Sequence, residues 1–170
     1  LIQMGENDSS IFIIGSPDVD IMLSKNLPSI KKAKKYYGIP YKDYALLLYH
    51  PVTTIKTSEL SDKVKNVVEA LQKSSEKYIV IYPNNDPGND IIQEHYQILS
   101  RNPNFMIFPS IRFEYFLVLL KYSKFIIGNS SAGVREAPYY GVPTLNLGLR
   151  QEGRHRCSSV YDIEEKTEEI

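Results

Sequence analysis

The chain of 170 residues has the length of a single domain that can bury a substantial core. Its 20 Lys and Arg residues balance 20 Asp and Glu residues, so no net basic field is present to attract nucleic acid or an anionic membrane. The single cysteine, Cys157, excludes an intrachain disulfide and a cysteine-based zinc cluster, and no apolar run approaches the roughly 18 residues that span a bilayer. These features predict a cytoplasmic protein that binds neither nucleic acid nor membranes.

Short apolar runs alternate with helical patterns along the chain. A first run at Ile11 to Ile14, ended by Gly15, predicts a strand, and a helix follows it towards Leu23. Further strands are predicted at Ala45 to Tyr49, Tyr78 to Tyr82, Phe105 to Phe108, Phe125 to Gly128 and Thr144 to Leu147. Further helices are predicted at Lys31 to Tyr37, Ser58 to Gln72, Asp90 to Leu99, Phe113 to Lys121 and from Val134. Beyond Ser158 the acidic sequence predicts a helix start or a frayed tail.

Such alternation implies a parallel sheet with right-handed crossovers and with helices on both faces. Ligands bind at the carboxyl edges of the strands in sheets of this kind. Polar side chains of chemical interest each follow a predicted strand, namely His50, Asn84, Asn85, Asp86, Arg112, Ser130, Ser131 and Arg150. We therefore expect these side chains to share one edge of the sheet.

The segment after the strand at Phe125 to Gly128 has the features of an anion site. Ser130 and Ser131 are residue types that cap helices, and the small residues Ala132 and Gly133 let the backbone approach a ligand closely. A helix that begins here presents unpaired backbone N–H groups and the positive end of its dipole, which together suit a phosphate group.

Glu136 lies about one and a half turns further along. Its carboxylate would repel a phosphate, but it can accept hydrogen bonds from two vicinal hydroxyl groups. A phosphate at Ser130 and Ser131 together with a ribose diol at Glu136 would describe a nucleotide. In the alternative interpretation, Glu136 only complements the N-terminal dipole of its helix.

His50 and the turn that contains Asn84 and Asp86 are further candidates at the same edge. The imidazole could donate a hydrogen bond to a diphosphate or carry a proton, and the alternative is a structural histidine held by loop backbone. Asn84 and Asp86 precede Pro87 and Gly88, and such a turn needs no function to explain it.

Aromatic and basic side chains complete the candidate site. Phe113, which follows Arg112 at the start of a helix, could pack on a uracil ring or belong to the helix core. Arg150 and Arg154 bracket a glycine-containing loop, and their guanidinium groups match phosphate oxygens.

Two kinds of catalytic centre are disfavoured. Histidines at positions 50, 95 and 155, without an Asp/His pair at ligand spacing, argue against a catalytic metal. The serines at 130 and 131 lack the Gly-x-Ser-x-Gly spacing of a hydrolase nucleophile.

Several motifs closely resemble one family. The segment Gly128 to Glu136, followed by Gly141 to Thr144 and Arg150 to Arg154, resembles the hydrolysing UDP-N-acetylglucosamine 2-epimerases of sialic acid biosynthesis. Tyr49 to Thr54 and Tyr82 to Gly88 look like two earlier segments of the same family. The non-hydrolysing branch carries Thr-Glu-Arg-Pro-Glu where this chain has Arg150 to Arg154, and this departure favours the hydrolysing branch.

The resemblance implies that residues 1–170 form a single Rossmann-like nucleotide-sugar-binding domain. This domain would be the C-terminal half of a GT-B-type two-domain enzyme whose N-terminal domain is absent here, which fits a chain that opens at Leu1 instead of a methionine. In this family a base removes the C2 proton of the sugar while UDP departs from C1. Water then adds to the glycal to give N-acetylmannosamine.

The family's acid and base carboxylates belong to the first domain, so we expect this chain to bind UDP without turning over. The resemblance further implies a UDP-sugar substrate, a homo-oligomeric parent, and no cofactor. Alternatives are the same reaction on a UDP-2,4-diacetamido-trideoxy sugar, a glycosyltransferase of the same two-domain build, and a pure nucleotide-binding or regulatory module.

Overall fold

The computed structural model of the chain describes residues 1–154 and 156–170. Within these residues, six strands form one fully parallel sheet. The strands are β1 (Ala45–Leu48), β2 (Tyr78–Ile81), β3 (Phe105–Phe108), β4 (Ile126–Gly128), β5 (Thr144–Leu147) and β6 (Val160–Ile163). The helices are α1 (Pro17–Met22), α2 (Ile30–Tyr37), α3 (Thr57–Lys73), α4 (Asn89–Leu99), α5 (Phe113–Lys121) and α6 (Ser131–Arg135). Short 3-10 turns occur at Ile2–Met4, Asp8–Ser10 and Ala137–Tyr140.

Two hydrophobic clusters, one on each face of the sheet, form the core. Successive residues of β1 point to opposite faces, so Leu46 joins the cluster under α2 and α5, whereas Leu47 joins the cluster under α3 and α4. Every residue of β1 is buried, as expected for a strand covered on both faces. The predicted doubly wound, Rossmann-like α/β fold is thereby confirmed.

The order of the strands fixes where a ligand can bind. The sheet runs β3-β2-β1-β4-β5-β6, so the chain moves outward in one direction from β1 and then returns to start β4 on the other side of β1. Loops that leave β1 and β4 therefore diverge to opposite faces and open a crevice at the carboxyl edge. His50 follows β1 and Ser130 follows β4, so both lie at this switch point.

The strand predicted at Ile11 to Ile14 is wrong. These residues form no regular secondary structure and pair with none of the described strands, and Phe12, Ile13 and Ile14 are 79%, 98% and 80% exposed. An apolar run becomes a strand only where a neighbouring strand satisfies its backbone groups, which the run itself cannot encode. The remaining predicted strands agree with the structure to within one residue at either end, and so do the predicted helices before α6.

The prediction of a helix start or frayed tail beyond Ser158 is also wrong. β6 pairs in parallel with β5, with Val160 opposite Thr144 and Ile163 opposite Leu147. The segment after β6 is held by Glu165, which is buried although it is charged.

Glu165 has partners from two elements of the domain. The Tyr49 hydroxyl donates to its Oε1 at 2.8 Å, and the Lys63 ammonium lies 3.2 Å from its Oε2. A buried carboxylate needs such partners, and sequence alone does not reveal them.

The helix predicted from Val134 begins three residues earlier, at Ser131, and ends at Arg135. Glu136 therefore lies at the C-terminal end of α6, and a 3-10 turn containing Pro138 follows it. A carboxylate at the C-terminal end of α6 gains nothing from the N-terminal dipole, so the alternative interpretation of Glu136 loses its basis.

Candidate functional site

A cavity of about 290 Å³ opens at the carboxyl edge of the sheet, at the switch point between β1 and β4. Its wall combines loops from five successive strands, because parallel strands end at the same edge. Most of the side chains singled out by the sequence line it: His50, Asn84, Phe113, Ser130, Ser131, Glu136 and Arg150. This cavity is hereafter called the switch-point cavity.

Four sequence candidates lie outside that wall, and one of them is Asn85, an exposed residue of the turn after β2. Arg112 is an exposed residue before α5, and its backbone N–H donates to the Tyr37 hydroxyl at 2.9 Å. Arg154 lines a separate cavity of about 260 Å³. Asp86 does not line the switch-point cavity, but its charge acts on the pKa of His50.

His50 is buried, with 7% of its surface exposed, and is uncharged at neutral pH. Burial, and to a smaller degree the positive charge of Arg150, lower its pKa to about 4, whereas the charge of Asp86 acts to raise it. Nδ1 accepts a hydrogen bond from the Asn84 backbone N–H at 3.2 Å. The neutral ring therefore carries its hydrogen on Nε2, which makes Nε2 the donor of this imidazole.

Asn129, which immediately follows β4, joins the loops of the site. Its Oδ1 accepts from the His50 backbone N–H at 2.7 Å, and its Nδ2 donates to the His50 carbonyl at 2.8 Å. Its own carbonyl accepts from Nη1 of Arg150 at 3.1 Å and from Nε2 of Gln151 at 2.8 Å. The loops after β1, β4 and β5 therefore meet at one residue.

Sequence reasoning gave neither Asn129 nor Gln151 a role in the site. Asn129 was visible only as a polar residue directly after a buried strand, and its type also fits a helix cap. Gln151 stands in a polar loop and carries no pattern that separates it from exposed neighbours, although it is 1% exposed. Their partners lie 79 and 22 residues away in the sequence, so only the fold reveals them.

The turn after β4 depends on close packing of the backbone. Gly128 has φ +133°, and a Cβ at this position would run into the Leu48 carbonyl of the neighbouring strand. A Cβ on Gly133 would lie 2.6 Å from Cγ2 of Thr144, whose hydroxyl donates to the Gly133 carbonyl at 2.7 Å. Glycine at both positions lets α6 sit tightly between β4 and β5.

Ser130 is the N-cap of α6. Its extended backbone and its side-chain oxygen, which accepts from the Ala132 N–H at 3.3 Å, begin the helix beside the cavity. Ser131 is the first helical residue and lines the same wall. The helix has only five residues, so its dipole is small. Binding of an anion here would therefore also need the serine hydroxyl groups and nearby positive side chains.

Glu136 carries a buried oxygen that needs a donor. Its Oε2 is inaccessible and has no hydrogen-bond partner among the described residues. Burial raises the pKa of its carboxyl, and Arg135 opposes this effect, although that guanidinium itself pairs with Asp18 at 3.4 Å. Glu136 also lines a larger cavity of about 470 Å³ that adjoins the switch-point cavity. Its carboxyl group therefore lies at the border between the two cavities.

Phe113 begins α5 and forms an apolar part of the wall. Its ring is 38% exposed, whereas Phe116 one turn later is buried in the core. Phe116, and not Phe113, therefore fills the core position of α5. The Phe113 side chain remains accessible to a ligand. A flat ligand can stack on such a ring.

Two absences apply to residues 1–154 and 156–170. No group of three or more His, Cys, Asp or Glu side chains is arranged to hold a metal ion there, and His155, the third histidine of the sequence argument, lies outside them. None of the helices in that part of the chain is both long enough and apolar enough to cross a membrane.

The strand order and the cavity at its switch point define a Rossmann-like α/β domain with a ligand crevice at the carboxyl edge. The sequence profile described as UDP-N-acetylglucosamine 2-epimerase matches residues 1–170. The chain belongs to this family, which confirms the resemblance found in its motifs.

Individual relatives agree with this assignment. The chain is 49% identical to a UDP-N-acetylglucosamine 2-epimerase of Neisseria meningitidis serogroup B, over 100% of this chain and 45% of that protein. It is 38% identical to a polysialic acid biosynthesis protein of Escherichia coli, over 96% of this chain and 42% of the relative. The chain therefore spans less than half the length of these relatives.

A solved structure shares the fold. The Methanocaldococcus jannaschii UDP-GlcNAc 2-epimerase, crystallised in complex with UDP-GlcNAc and UDP, superimposes with a TM-score of 0.71 at 19% identity. The match covers 98% of this chain and 48% of that one. At this identity the likeness establishes the common architecture.

Proposed function

We propose that this chain is the UDP-binding half of a hydrolysing UDP-N-acetylglucosamine 2-epimerase that converts UDP-N-acetylglucosamine to N-acetylmannosamine and UDP. The observation that carries the proposal is the meeting of Ser130, Ser131, Glu136 and His50 on one cavity at the switch point of the sheet. Membership of the epimerase family supports the choice of a UDP-sugar over other nucleotides. The polysialic acid relative supports a place in sialic acid biosynthesis.

Each part of the nucleotide has a counterpart on the wall. The diphosphate would lie against Ser130 and Ser131, with Arg150 supplying positive charge and His50 a neutral Nε2–H donor. The ribose hydroxyls would donate to Glu136, whose Oε2 has no partner among the described residues. The uracil would stack on Phe113.

The outlying candidates have weaker parts in this proposal. We assign Asp86 to the electrostatic surroundings of His50, because its charge raises the pKa of that ring. Arg154 lies close enough to lower the pKa of Glu136, and Arg112 stands next to Phe113 in the sequence. Either arginine would reach the nucleotide only by a change of side-chain conformation.

We further propose that a second domain of a longer protein closes the cleft and carries the catalytic carboxylates, in a GT-B-type arrangement. The switch-point cavity, at about 290 Å³, lies just below the roughly 300–1,000 Å³ typical of ligand pockets, as expected for half a cleft. The exposed apolar run Phe12 to Ile14 is suited to burial against such a domain. The single cysteine suits the reducing cytoplasm, where we place the enzyme.

The hydrolysing reaction needs no redox change and no metal in this proposal. A base takes the C2 proton, and UDP leaves from C1 with the electrons of the C1–O bond, which leaves a C1–C2 double bond. Water then supplies a hydroxyl group to C1 and a hydrogen to C2. The segment Arg150 to Arg154, which differs from the non-hydrolysing signature, supports this branch of the family.

Product analysis of the longer protein tests the reaction. Incubation with UDP-N-acetylglucosamine in D₂O with EDTA should release UDP and free N-acetylmannosamine that carries deuterium at C2, as read by NMR. A product that keeps its nucleotide would contradict hydrolysis, and turnover only with a UDP-2,4-diacetamido-trideoxy sugar would contradict the assigned sugar. Residues 1–170 alone should bind UDP and release no sugar.

A further inference from the structure

Asn129 is fully buried, with 0% of its surface exposed, at the point where β1 and β4 stop pairing. The ladder between these strands ends at Leu48 opposite Gly128, and the Asn129 N–H then donates to the Leu48 carbonyl at 3.1 Å. Beyond this point the strands diverge. Another group must therefore satisfy the buried backbone of His50.

The Asn129 carboxamide satisfies the backbone groups of His50. One oxygen and one N–H of the same side chain meet the N–H and the carbonyl of His50, at 2.7 and 2.8 Å, as a partner strand would. The backbone of His50 is thus fixed by Asn129, while its ring is fixed by the Asn84 N–H. The same residue orients Arg150, because its carbonyl accepts from that guanidinium at 3.1 Å.

We propose that Asn129 is the positioning residue of the switch-point cavity, which holds His50 and Arg150 in the geometry that receives the anionic part of the ligand. The identity of that ligand rests on the proposed function. The positioning itself rests only on the hydrogen bonds of Asn129.

The side chain at this position must both accept and donate. Aspartate has the same shape but would set an oxygen against the His50 carbonyl, so it lacks the required donor. Alanine would leave two buried backbone groups of His50 unpaired. Either change should let the His50 loop move away from its place between Asn84 and Arg150.

If Asn129 had only a structural role, its replacement would lower stability without a specific change in the His50 imidazole. A second buried asparagine is therefore needed as a control. Asn146 is 1% exposed in β5, the strand on the other side of β4, and its Nδ2 donates to Asp162 at 2.6 Å. It has no described hydrogen bond to His50 or Arg150. Asn146→Ala therefore removes an equally buried amide without touching the site.

The test is ¹H–¹⁵N NMR of the His50 imidazole in residues 1–170, which reports the tautomer and the pKa of the ring. The charged groups that face it are Arg150 and Asp86, with Glu136 on the same cavity wall. Asn129→Ala should abolish the acceptor signature of Nδ1. Asn129→Asp, which keeps the volume, should raise the pKa of His50 by about one unit or more, since it adds negative charge against the His50 backbone.

Affinity gives the second measurement, with UDP and inorganic phosphate as the probes. Folded Asn129→Ala and Asn129→Asp should each bind both probes roughly tenfold more weakly, or worse, while Asn146→Ala should keep the wild-type imidazole signals and affinity. Unchanged His50 signals in folded Asn129 variants, or equal changes in Asn146→Ala, would overturn the inference. Wild-type protein that binds neither probe would overturn the proposed function, and the imidazole signals would still decide the role of Asn129.

Discussion

Burial acts on His50 and Glu136 of the switch-point cavity in the direction of their uncharged forms. It lowers the pKa of His50 and raises the pKa of Glu136. Arg150 supplies positive charge on the same wall as the Glu136 carboxylate, so binding of an anion depends on placed hydrogen-bond donors as much as on charge. A nucleotide with one anionic and one hydroxyl-rich portion matches such a wall.

The pKa of His50 makes stability depend on pH. Its value in the folded chain, about 4, lies below the ordinary 6.5, so the unfolded chain binds a proton more readily between these values. Protonation therefore favours unfolding as pH falls from about 6.5 towards 4, and His50 alone should remove about 2 kcal/mol of stability by pH 5.

Urea unfolding of wild type and His50→Gln at pH 7 and pH 5 measures this effect. Glu136 has the opposite dependence, because its raised pKa favours the folded state on acidification, and the difference between the two proteins cancels that contribution. A variant that loses as much stability on acidification as wild type would contradict the neutral, buried state of His50.

Glu136→Gln tests the assignment of the ribose. The amide retains one acceptor but no charge, so UDP binding should weaken by about 1.5–3 kcal/mol, while the affinity for inorganic phosphate stays unchanged. Calorimetric titration of both ligands measures this. Glu69→Gln, a change on the exposed face of α3, serves as control and should alter neither ligand. Equal weakening for UDP and phosphate would mean that Glu136 has a structural role.

The alternation of elements from β1 to β5 was predictable because each apolar run and each helical face is a local pattern. The strand at Ile11 to Ile14 and the tail beyond Ser158 were mispredicted because pairing is not local. The first apolar run finds no partner strand among the described residues, whereas the polar Tyr161 and Asp162 find one in β5. Judged by hydrophobicity alone, the run at Ile11 to Ile14 would be a better strand candidate than β6, and the structure shows the reverse.

The close approach of β4 and β1 gives a prediction at the scale of elements. Gly128→Ala places a methyl group against the Leu48 carbonyl at a positive φ, and it should cost about 3 kcal/mol or more or prevent folding. Gly141→Ala is the control, since its φ of +67° is also positive but, apart from its chain neighbours, no described residue has an atom within 4 Å of the added methyl group. It should cost about 1–2 kcal/mol.

Denaturant unfolding, followed by circular dichroism, compares the two alanine variants. Equal stabilities would show that the strands do not approach each other as closely as described. Both positions have a positive φ, but only Gly128 also has the contact with Leu48, so the Gly128 variant should lose clearly more stability.

On the scale of the whole molecule, the sequence predicted which residues share the carboxyl edge but not how they contact each other. Alternating elements imply a parallel sheet, so His50 and Ser130 were expected on one edge. The strand order, which makes β1 and β4 neighbours in the sheet, is determined by tertiary packing. The hydrogen bonds of Asn129 and the unpaired oxygen of Glu136 depend on that order and could not be read from the chain.

Turnover by the longer protein tests the part assigned to His50. If its Nε2–H stabilises the departing diphosphate, His50→Ala should lower kcat by roughly 10²–10⁴-fold. The affinity for UDP should change much less, because the charge on the diphosphate grows mainly as the C1–O bond breaks. Steady-state kinetics and UDP affinity are compared on the same variant, with thermal melting as the folding control. Near-normal kcat would return His50 to a structural role.

In the proposed function, UDP binds at the switch point between β1 and β4 without a metal. Titration of ¹⁵N-labelled residues 1–170 with UDP in excess EDTA, followed by backbone amide NMR, tests it most directly. Chemical-shift changes should concentrate at His50, Phe113, Ser130, Ser131 and Glu136, with those at α3 and α4 small. No change at millimolar UDP, or changes confined to the groove between Ser61 and His95 on α3 and α4, would contradict the account.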